Sequence, residues 1–73
     1  MNSKKPAKKS EKKAFGERVR EAREKLELTQ EQVAKKARMT VNYYAMIERG
    51  EVNPSFEKIK SIAKVLKLKI TIS

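Results

Sequence analysis

The sequence predicts an all-α fold, a bundle of four to five short helices in a single domain. Apolar residues recur every three or four positions, N-cap residues precede three of these stretches, and 73 residues allow only one small core. The chain has no cysteine and no histidine, which argues against disulfides, thiolate metal sites and histidine-based catalysis. The sequence therefore favours a binding protein over an enzyme, and we expect no cofactor or metal.

The charge is strongly positive and indicates a polyanionic partner. Nineteen Lys and Arg residues outnumber nine Glu residues, which gives a net charge of +10. A field of that sign attracts nucleic acid and speeds its capture. A membrane surface is also anionic, but binding it would require exposed large apolar residues that the core needs here. We expect a nucleic-acid partner, no membrane contact and a cytoplasmic location.

Residues 1–13 are predicted to form a disordered basic arm. Six lysines and one glutamate give this segment a net charge of +5, and after Met1 it has no large apolar residue to bury. Two roles remain open for the arm: it tracks along DNA, or it only keeps the protein soluble.

Residues 14–66 are predicted to form the folded domain, and its first helix should end near Lys25 or Leu26. A second helix is expected to begin after Thr29, which forms a capping box with Gln32. The apolar face of the first helix is made by Phe15, Val19, Ala22 and Leu26.

Two further helices are marked by their ends. Thr40 is placed as the N-cap of the third helix, which should stop at Gly50 because glycine accepts the left-handed conformation beyond a helix. Ser55 follows an Asn-Pro turn and should cap the fourth helix. The inner face of the fourth helix is predicted to be Phe56, Ile59, Ile62, Ala63 and Leu66.

The last segment, residues 67–73, changes period. Apolar and polar residues alternate strictly there, which is typical of a strand with one buried face. No other strand is predicted in the chain, so a second copy of the protein is the simplest pairing partner. Leu68, Ile70 and Ile72 would then be dimerisation residues; a frayed tail is the alternative.

The two middle helices are short and close together, in the geometry of a helix-turn-helix. Such a motif spans about twenty residues and places its second helix in the DNA major groove. The first helix of this pair needs a small residue where it contacts the second, and Ala34 supplies it. Spacing alone does not decide the case, since any compact four-helix bundle can contain two short neighbouring helices.

A longer set of matching strings makes the pattern specific. They are FGERVR at 15–20, Arg23, LTQEQVA at 28–34, IERG at 47–50, NPS at 53–55 and IAKVL at 62–66. With these strings at these spacings, residues 15–68 resemble the Xre/Cro-type helix-turn-helix family of phage repressors and bacterial regulators.

The resemblance implies a role for particular residues. Residues 41–49 would be the recognition helix, and Arg23 with Glu48 would form a largely buried ion pair. The base-reading positions fall on Val41, Asn42, Ala45 and Met46. The phosphate-binding positions fall on Gln30, Thr40, Tyr43, Asn53 and Ser55, and Arg38 is a further candidate.

The chain departs from the family at its turns and on its reading surface. Glu27 and Arg38 stand where relatives often have glycine, so each must avoid a positive φ or accept strain. Three of the four base-reading positions are apolar, where relatives commonly have Gln, Arg, Ser or Lys. Only Asn42 offers an amide that pairs with adenine, and apolar side chains can touch thymine methyl groups, so an A·T-rich site is expected.

The function predicted from these residues is a dimeric transcriptional regulator, most readily a repressor, that binds a palindromic operator in double-stranded DNA. Two special cases remain open: an antitoxin, with a toxin as a protein partner, and a restriction-modification controller. The alternative is a protein-interaction module of the bridging-coactivator type with only weak DNA binding. No nucleophile has a base beside it, so no enzymatic activity is expected.

Overall fold

A computed structural model describes residues 10–69. They form four helices, namely α1 (Glu11–Lys25), α2 (Gln30–Lys36), α3 (Val41–Glu48) and α4 (Phe56–Leu66). The α3 helix packs against α1 and α2, and α4 packs against the same two helices. The predicted all-α bundle is confirmed, and within residues 10–69 there is neither a strand nor a fifth helix. None of these four helices is long and apolar enough to cross a membrane.

The core receives side chains from all four helices. Its largest fully buried members are Tyr44, Ile47, Ile62, Val19 and Val33. In α2, Ala34 is only 2% exposed. Such burial leaves little room for a larger side chain. It agrees with the close helix contact that was predicted at Ala34.

A hydroxyl side chain caps the start of each helix, namely Ser10, Thr29, Thr40 and Ser55. Each hydroxyl accepts a hydrogen bond from the backbone amide three residues later, and so satisfies one of the free donors of the first turn. At the second helix the side chain of Gln32 also accepts from the Thr29 amide, at 2.8 Å. Three of the four caps, and this capping box, are confirmed predictions.

The folded domain was predicted to begin at residue 14, three residues after the start of α1. The helix begins at Glu11 and not at Ala14, because Ser10 caps it and Glu11 places a negative charge in its first turn. Lys12 and Lys13 therefore belong to the helix and not to the basic arm. The rest of the predicted arm, residues 1–9, lies outside the described residues.

Burial along α4 decreases toward its N-terminal end, and the prediction for Phe56 was wrong. Ile62 and Leu66 are buried and Ile59 is half-buried, but Phe56 is 52% exposed. Phe56 is the first residue of the helix, one turn beyond the packed region. Its ring faces water beneath the ammonium group of Lys60, which lies 5.5 Å from the ring centroid.

The chain turns back on itself after α4. Lys67 adopts the left-handed conformation, with φ 59°, and the Leu68 amide donates to the Ala63 carbonyl at 2.9 Å. Leu68 is thereby half-buried against the core of its own chain. A strand beginning at residue 67 is therefore wrong, because the helix-terminating turn occupies residues 67 and 68. Ile70 and Ile72 lie outside the described residues.

The two turns that lack the glycines common in the family do adopt positive φ angles. Glu27 has φ 58° and Arg38 has φ 64°. A side chain with a Cβ costs roughly 1–2 kcal/mol in this region, whereas glycine costs roughly 0.5–1 kcal/mol in backbone entropy. Both positions therefore carry conformational strain.

Glu27→Gly should raise the free energy of unfolding by about 0.5–1 kcal/mol, as measured by urea denaturation. The matched control is Glu24→Gly, the same change at an exposed helical residue of α1. The control should lower stability by about 1 kcal/mol. An equal loss in both variants would show that the left-handed turn does not strain Glu27.

Candidate nucleic-acid interface

The α3 helix has one face in the core and one in solvent. Tyr44, Ile47 and Glu48 are buried. On the opposite side Val41 and Asn42 are exposed, and Ala45 and Met46 are half-buried. The Asn42 side-chain amide lies 4.0 Å from the Met46 sulfur, one helical turn away. The four residues predicted to read bases thus share the outer part of one helix.

The end of α3 also has a charged side chain at its surface. Arg49, predicted as the last residue of the recognition helix, is its C-cap. Its guanidinium pairs with the Glu51 carboxylate through two hydrogen bonds, of 2.8 and 3.0 Å. Both side chains are about half exposed, so water screens this pair.

A buried polar network joins α1, the start of α2 and the end of α3. The Arg23 guanidinium donates to both Glu48 carboxylate oxygens, at 2.6 and 3.1 Å, and to the Leu28 carbonyl at 2.9 Å. The Gln30 side-chain amide donates to the same carboxylate at 2.9 Å. These bonds fix the position of α3 relative to the two helices that precede it.

Burial and pairing act in opposite directions on the Glu48 carboxyl. Its side chain is 3% exposed, and burial by itself would raise its pKa. The hydrogen bonds of Arg23, the adjacent Tyr44 hydroxyl, the Gln30 bond and the charge of Arg23 together outweigh burial and hold the pKa of Glu48 below its ordinary value. The neighbouring Tyr44 hydroxyl is buried without a well-formed hydrogen bond, and burial, followed by the nearby carboxylate, raises its pKa.

Gln30, predicted to bind a phosphate, is tied to the network on one side. A carboxylate only accepts hydrogen bonds, so its contact with Glu48 requires that the amide NH₂ of Gln30 face inward. An NH₂ group has two N–H bonds, and one therefore remains for an external acceptor. Phosphate binding by Gln30 remains a prediction.

The starts of α3 and α4 carry three of the predicted phosphate residues, Thr40, Tyr43 and Ser55. Thr40 and Ser55 cap these helices, and each hydroxyl can still donate its own hydrogen while it accepts from the backbone. Tyr43 is half-buried, and the ammonium group of Lys58 lies 5.7 Å from its ring centroid. The contact places side chains of the two first turns side by side.

Two other predicted phosphate residues lie in the segments just before these helix starts. Asn53 is exposed and lines a shallow recess with Phe15 and the first turn of α1. Arg38 is exposed in the turn between α2 and α3. Neither has an ion-pair or side-chain hydrogen-bond partner among residues 10–69.

Lys58 is the residue of this surface that sequence reasoning passed over. Its position among other lysines of α4 is typical of a solvated helix face. The caps Thr40 and Ser55 place Tyr43 and Lys58 at equivalent positions of their helices. The sequence shows that Tyr43 and Lys58 occupy equivalent positions in their helices. It does not show that the two helix starts lie close together.

Comparison with known proteins places these features in a family. The model of the helix-turn-helix family of Cro/C1 type matches residues 19–72. This chain belongs to that family. Its members are DNA-binding regulators and not enzymes.

The relatives include a phage protein and two bacterial proteins of known structure. The immunity repressor of Bacillus phage phi105 is 36% identical over 56 residues, which are 77% of this chain but 39% of the phage protein. The restriction-modification controller C.AhdI of Aeromonas hydrophila is 33% identical, with a TM-score of 0.76 over 80% of this chain and 88% of that one. The clp gene regulator ClgR of C. glutamicum has a TM-score of 0.84 over 90% of this chain and 85% of its own, and at 24% identity it supports the fold alone.

The chain spans about two fifths of the length of the phage repressor it matches. The family to which this domain belongs is one of DNA-binding transcriptional regulators.

Proposed function

We propose that this helix-turn-helix protein is a sequence-specific repressor that binds a palindromic operator as a homodimer. The observation that carries the proposal is the outer face of α3, where Asn42 is exposed beside three apolar side chains while the opposite face is locked into the core. The phage relative is an immunity repressor, and the Aeromonas relative is a restriction-modification controller.

The proposed mechanism divides capture from recognition. The positive charge attracts the DNA backbone, and Gln30 with the Thr40 and Ser55 hydroxyls binds phosphates on either side of the groove. The Asn42 amide pairs with adenine, and the apolar side chains touch thymine methyl groups. Occupation of a promoter then blocks transcription.

Asn42→Ala should lower discrimination at one base pair by about 1–3 kcal/mol and leave binding to unrelated duplexes almost unchanged. Gln30→Ala should weaken binding to all duplexes alike, because a phosphate contact carries no sequence information. Fluorescence anisotropy with the operator, single-base variants of it and an unrelated duplex would measure both effects.

Gln30→Ala also removes a hydrogen bond to Glu48, so its melting temperature must be measured and binding compared well below it. If Asn42→Ala lost the same amount of affinity on every duplex, as Gln30→Ala is expected to do, the assignment of Asn42 to base reading would be wrong.

The dimer is proposed to form through the C-terminal segment beyond Lys69. Leu68 packs on its own core, so Ile70 and Ile72 remain as the dimerisation residues of the alternating pattern. Two recognition helices about 34 Å apart would match successive major grooves of a palindrome.

Replacing both Ile70 and Ile72 by serine should yield monomers in sedimentation equilibrium, because the apolar face of the pairing segment is lost. The matched control, Thr71→Ala, alters the other face and should leave the dimer intact. A dimer that persists in the double serine variant would exclude this segment as the interface.

A protein-interaction module is the second candidate. It is favoured by the apolar character of the reading surface, where Val41 is 40% exposed beside Ala45 and Met46. A protein-interaction module of this kind would bind DNA weakly and without sequence preference.

Two special cases of the repressor were left open by the sequence. The likeness to a restriction-modification controller favours the controller role over that of an antitoxin with a toxin partner.

A further inference from the structure

Two side chains, Tyr43 and Lys58, lie close together at the starts of α3 and α4. Tyr43 and Lys58 are each the third residue of their helix, and the amide of each is bonded to the capping hydroxyl of Thr40 or Ser55. The Lys58 ammonium lies 5.7 Å from the centroid of the Tyr43 ring, within the range of a cation–π contact.

This contact lies on a different flank of the recognition helix from Gln30. Gln30 reaches α3 at Glu48, and Glu48 is five residues after Tyr43, or about 140° around a helix of 3.6 residues per turn. A helix in the major groove has a sugar–phosphate backbone on each side. Gln30 serves one side, and Lys58 lies toward the other.

Lys58 is available as a cation at that position. No carboxylate of residues 10–69 forms an ion pair with it, and the first turn of α3 has no acidic residue. The Tyr43 ring restricts the lysine side chain, so less conformational entropy is lost when the ammonium binds an anion.

We infer that Lys58, held against the Tyr43 ring, binds a backbone phosphate on the α4 side of the recognition helix. The inference rests on the proposed function and adds a phosphate ligand to it. Tyr43 acts as its positioning residue, and the partner is the phosphodiester backbone of double-stranded DNA. The contact would secure the second strand of the duplex at the groove that α3 enters.

The salt dependence of binding tests this inference. Each phosphate contact by a cation contributes about 0.9 to the slope of log K against log salt concentration. For full-length protein on one duplex, Lys58→Gln should make that slope shallower by about 0.9 over the range from about 50 to about 200 mM salt. Tyr43→Leu should reproduce part of this change.

Lys60→Gln is the matched control. It removes the same charge from the same helix, two residues away, and its ammonium also lies over a ring, that of Phe56. This variant should leave the slope close to that of the wild type, because Lys60 is about 200° around the helix from Lys58. Circular dichroism of each variant checks that it remains folded.

Each other outcome overturns the inference in a distinguishable way. Equal changes of slope for Lys58→Gln and Lys60→Gln would mean that only net charge matters. If Lys58→Gln left the slope unchanged while Gln30→Ala weakened binding, Lys58 would not be a phosphate ligand, and the proposed function would still hold. Absence of salt-dependent duplex binding by the wild-type protein would remove both.

Discussion

Arg23→Leu should lower the free energy of unfolding at pH 7 by about 3–5 kcal/mol. The change leaves the Glu48 carboxylate, 3% exposed, without the guanidinium that donates to both its oxygens. A domain of this size has little stability to spare, so much of the variant population should be unfolded at physiological temperature. Urea denaturation measures the loss, and circular dichroism measures the remaining helix.

The contribution of Glu48 to stability should depend on pH with opposite sign in Arg23→Leu and in the wild-type protein. In the wild type the pKa of Glu48 is lowered, so its contribution is present above its ordinary pKa of 4.5 and is lost as the pH falls. Without Arg23, burial dominates and should raise the pKa of Glu48, so that stability is lost as the pH rises. The difference in stability between the two proteins should therefore widen from pH 4 to pH 7.

Arg49→Leu is the control for this result. It also removes an arginine that makes a bidentate pair with a glutamate, but both Arg49 and Glu51 are about half exposed. Water and salt screen such pairs, so stability should hardly change. A similar loss in Arg23→Leu and Arg49→Leu, or a difference that does not vary with pH, would contradict the account of the buried network.

Gly16→Ala should destabilise the domain by about 3 kcal/mol, because α1 and α3 meet at this glycine. An added Cβ would lie 2.5 Å from the Glu48 carbonyl oxygen and 2.9 Å from its carbonyl carbon. These are backbone atoms at the end of α3, so relief requires one helix to shift. The shift would also displace the recognition helix, and DNA affinity should fall with stability.

Helix propensity alone predicts the reverse for this substitution, a gain of about 1 kcal/mol for alanine over glycine. The control is Ala14→Gly, at an exposed position two residues earlier in α1, which should cost about 1 kcal/mol. Thermal denaturation of both variants separates propensity from the steric contact. A gain in stability for Gly16→Ala would show that α1 and α3 leave room for a Cβ at this position.

Sequence patterns predicted those parts of the fold that depend on neighbouring residues. Thr29, Thr40 and Ser55 were readable as helix starts because a capping hydroxyl acts within its own first turn. The cap at Ser10 was missed because the lysines after it form no apolar pattern. The left-handed turns at Glu27 and Arg38 were anticipated only as alternatives, since a side chain there gives no positive signal.

Features that depend on the distance between helices could not be predicted from sequence patterns. The Arg23–Glu48 pair was expected only through resemblance to a family, and its hydrogen bond from Gln30 was not expected at all. Phe56 fits the apolar period of α4, yet it lies beyond the packed turns. Periodicity indicates which residues share a helix face, but not how far along the helix the neighbouring helices reach.

The same contacts connect the scaffold to its function. The Arg23–Glu48–Gln30 network fixes α3 from the inside, and the close contact at Gly16 fixes its distance from α1. A recognition helix held in this way loses little entropy when it enters a groove. In the proposed function, specificity would depend on a few outward side chains, with Asn42 as the polar group among them.

The central claim, sequence-specific binding of double-stranded DNA by a dimer, is tested most directly by selection from a randomised duplex pool at two salt concentrations. Sequencing of the bound fraction should recover an A·T-rich palindrome whose half-sites lie about 10 base pairs apart. The same motif should persist at the higher salt concentration, where contacts to phosphates alone are weakened. Recovery of no motif, with binding that disappears as salt rises, would contradict the claim and favour the protein-interaction module.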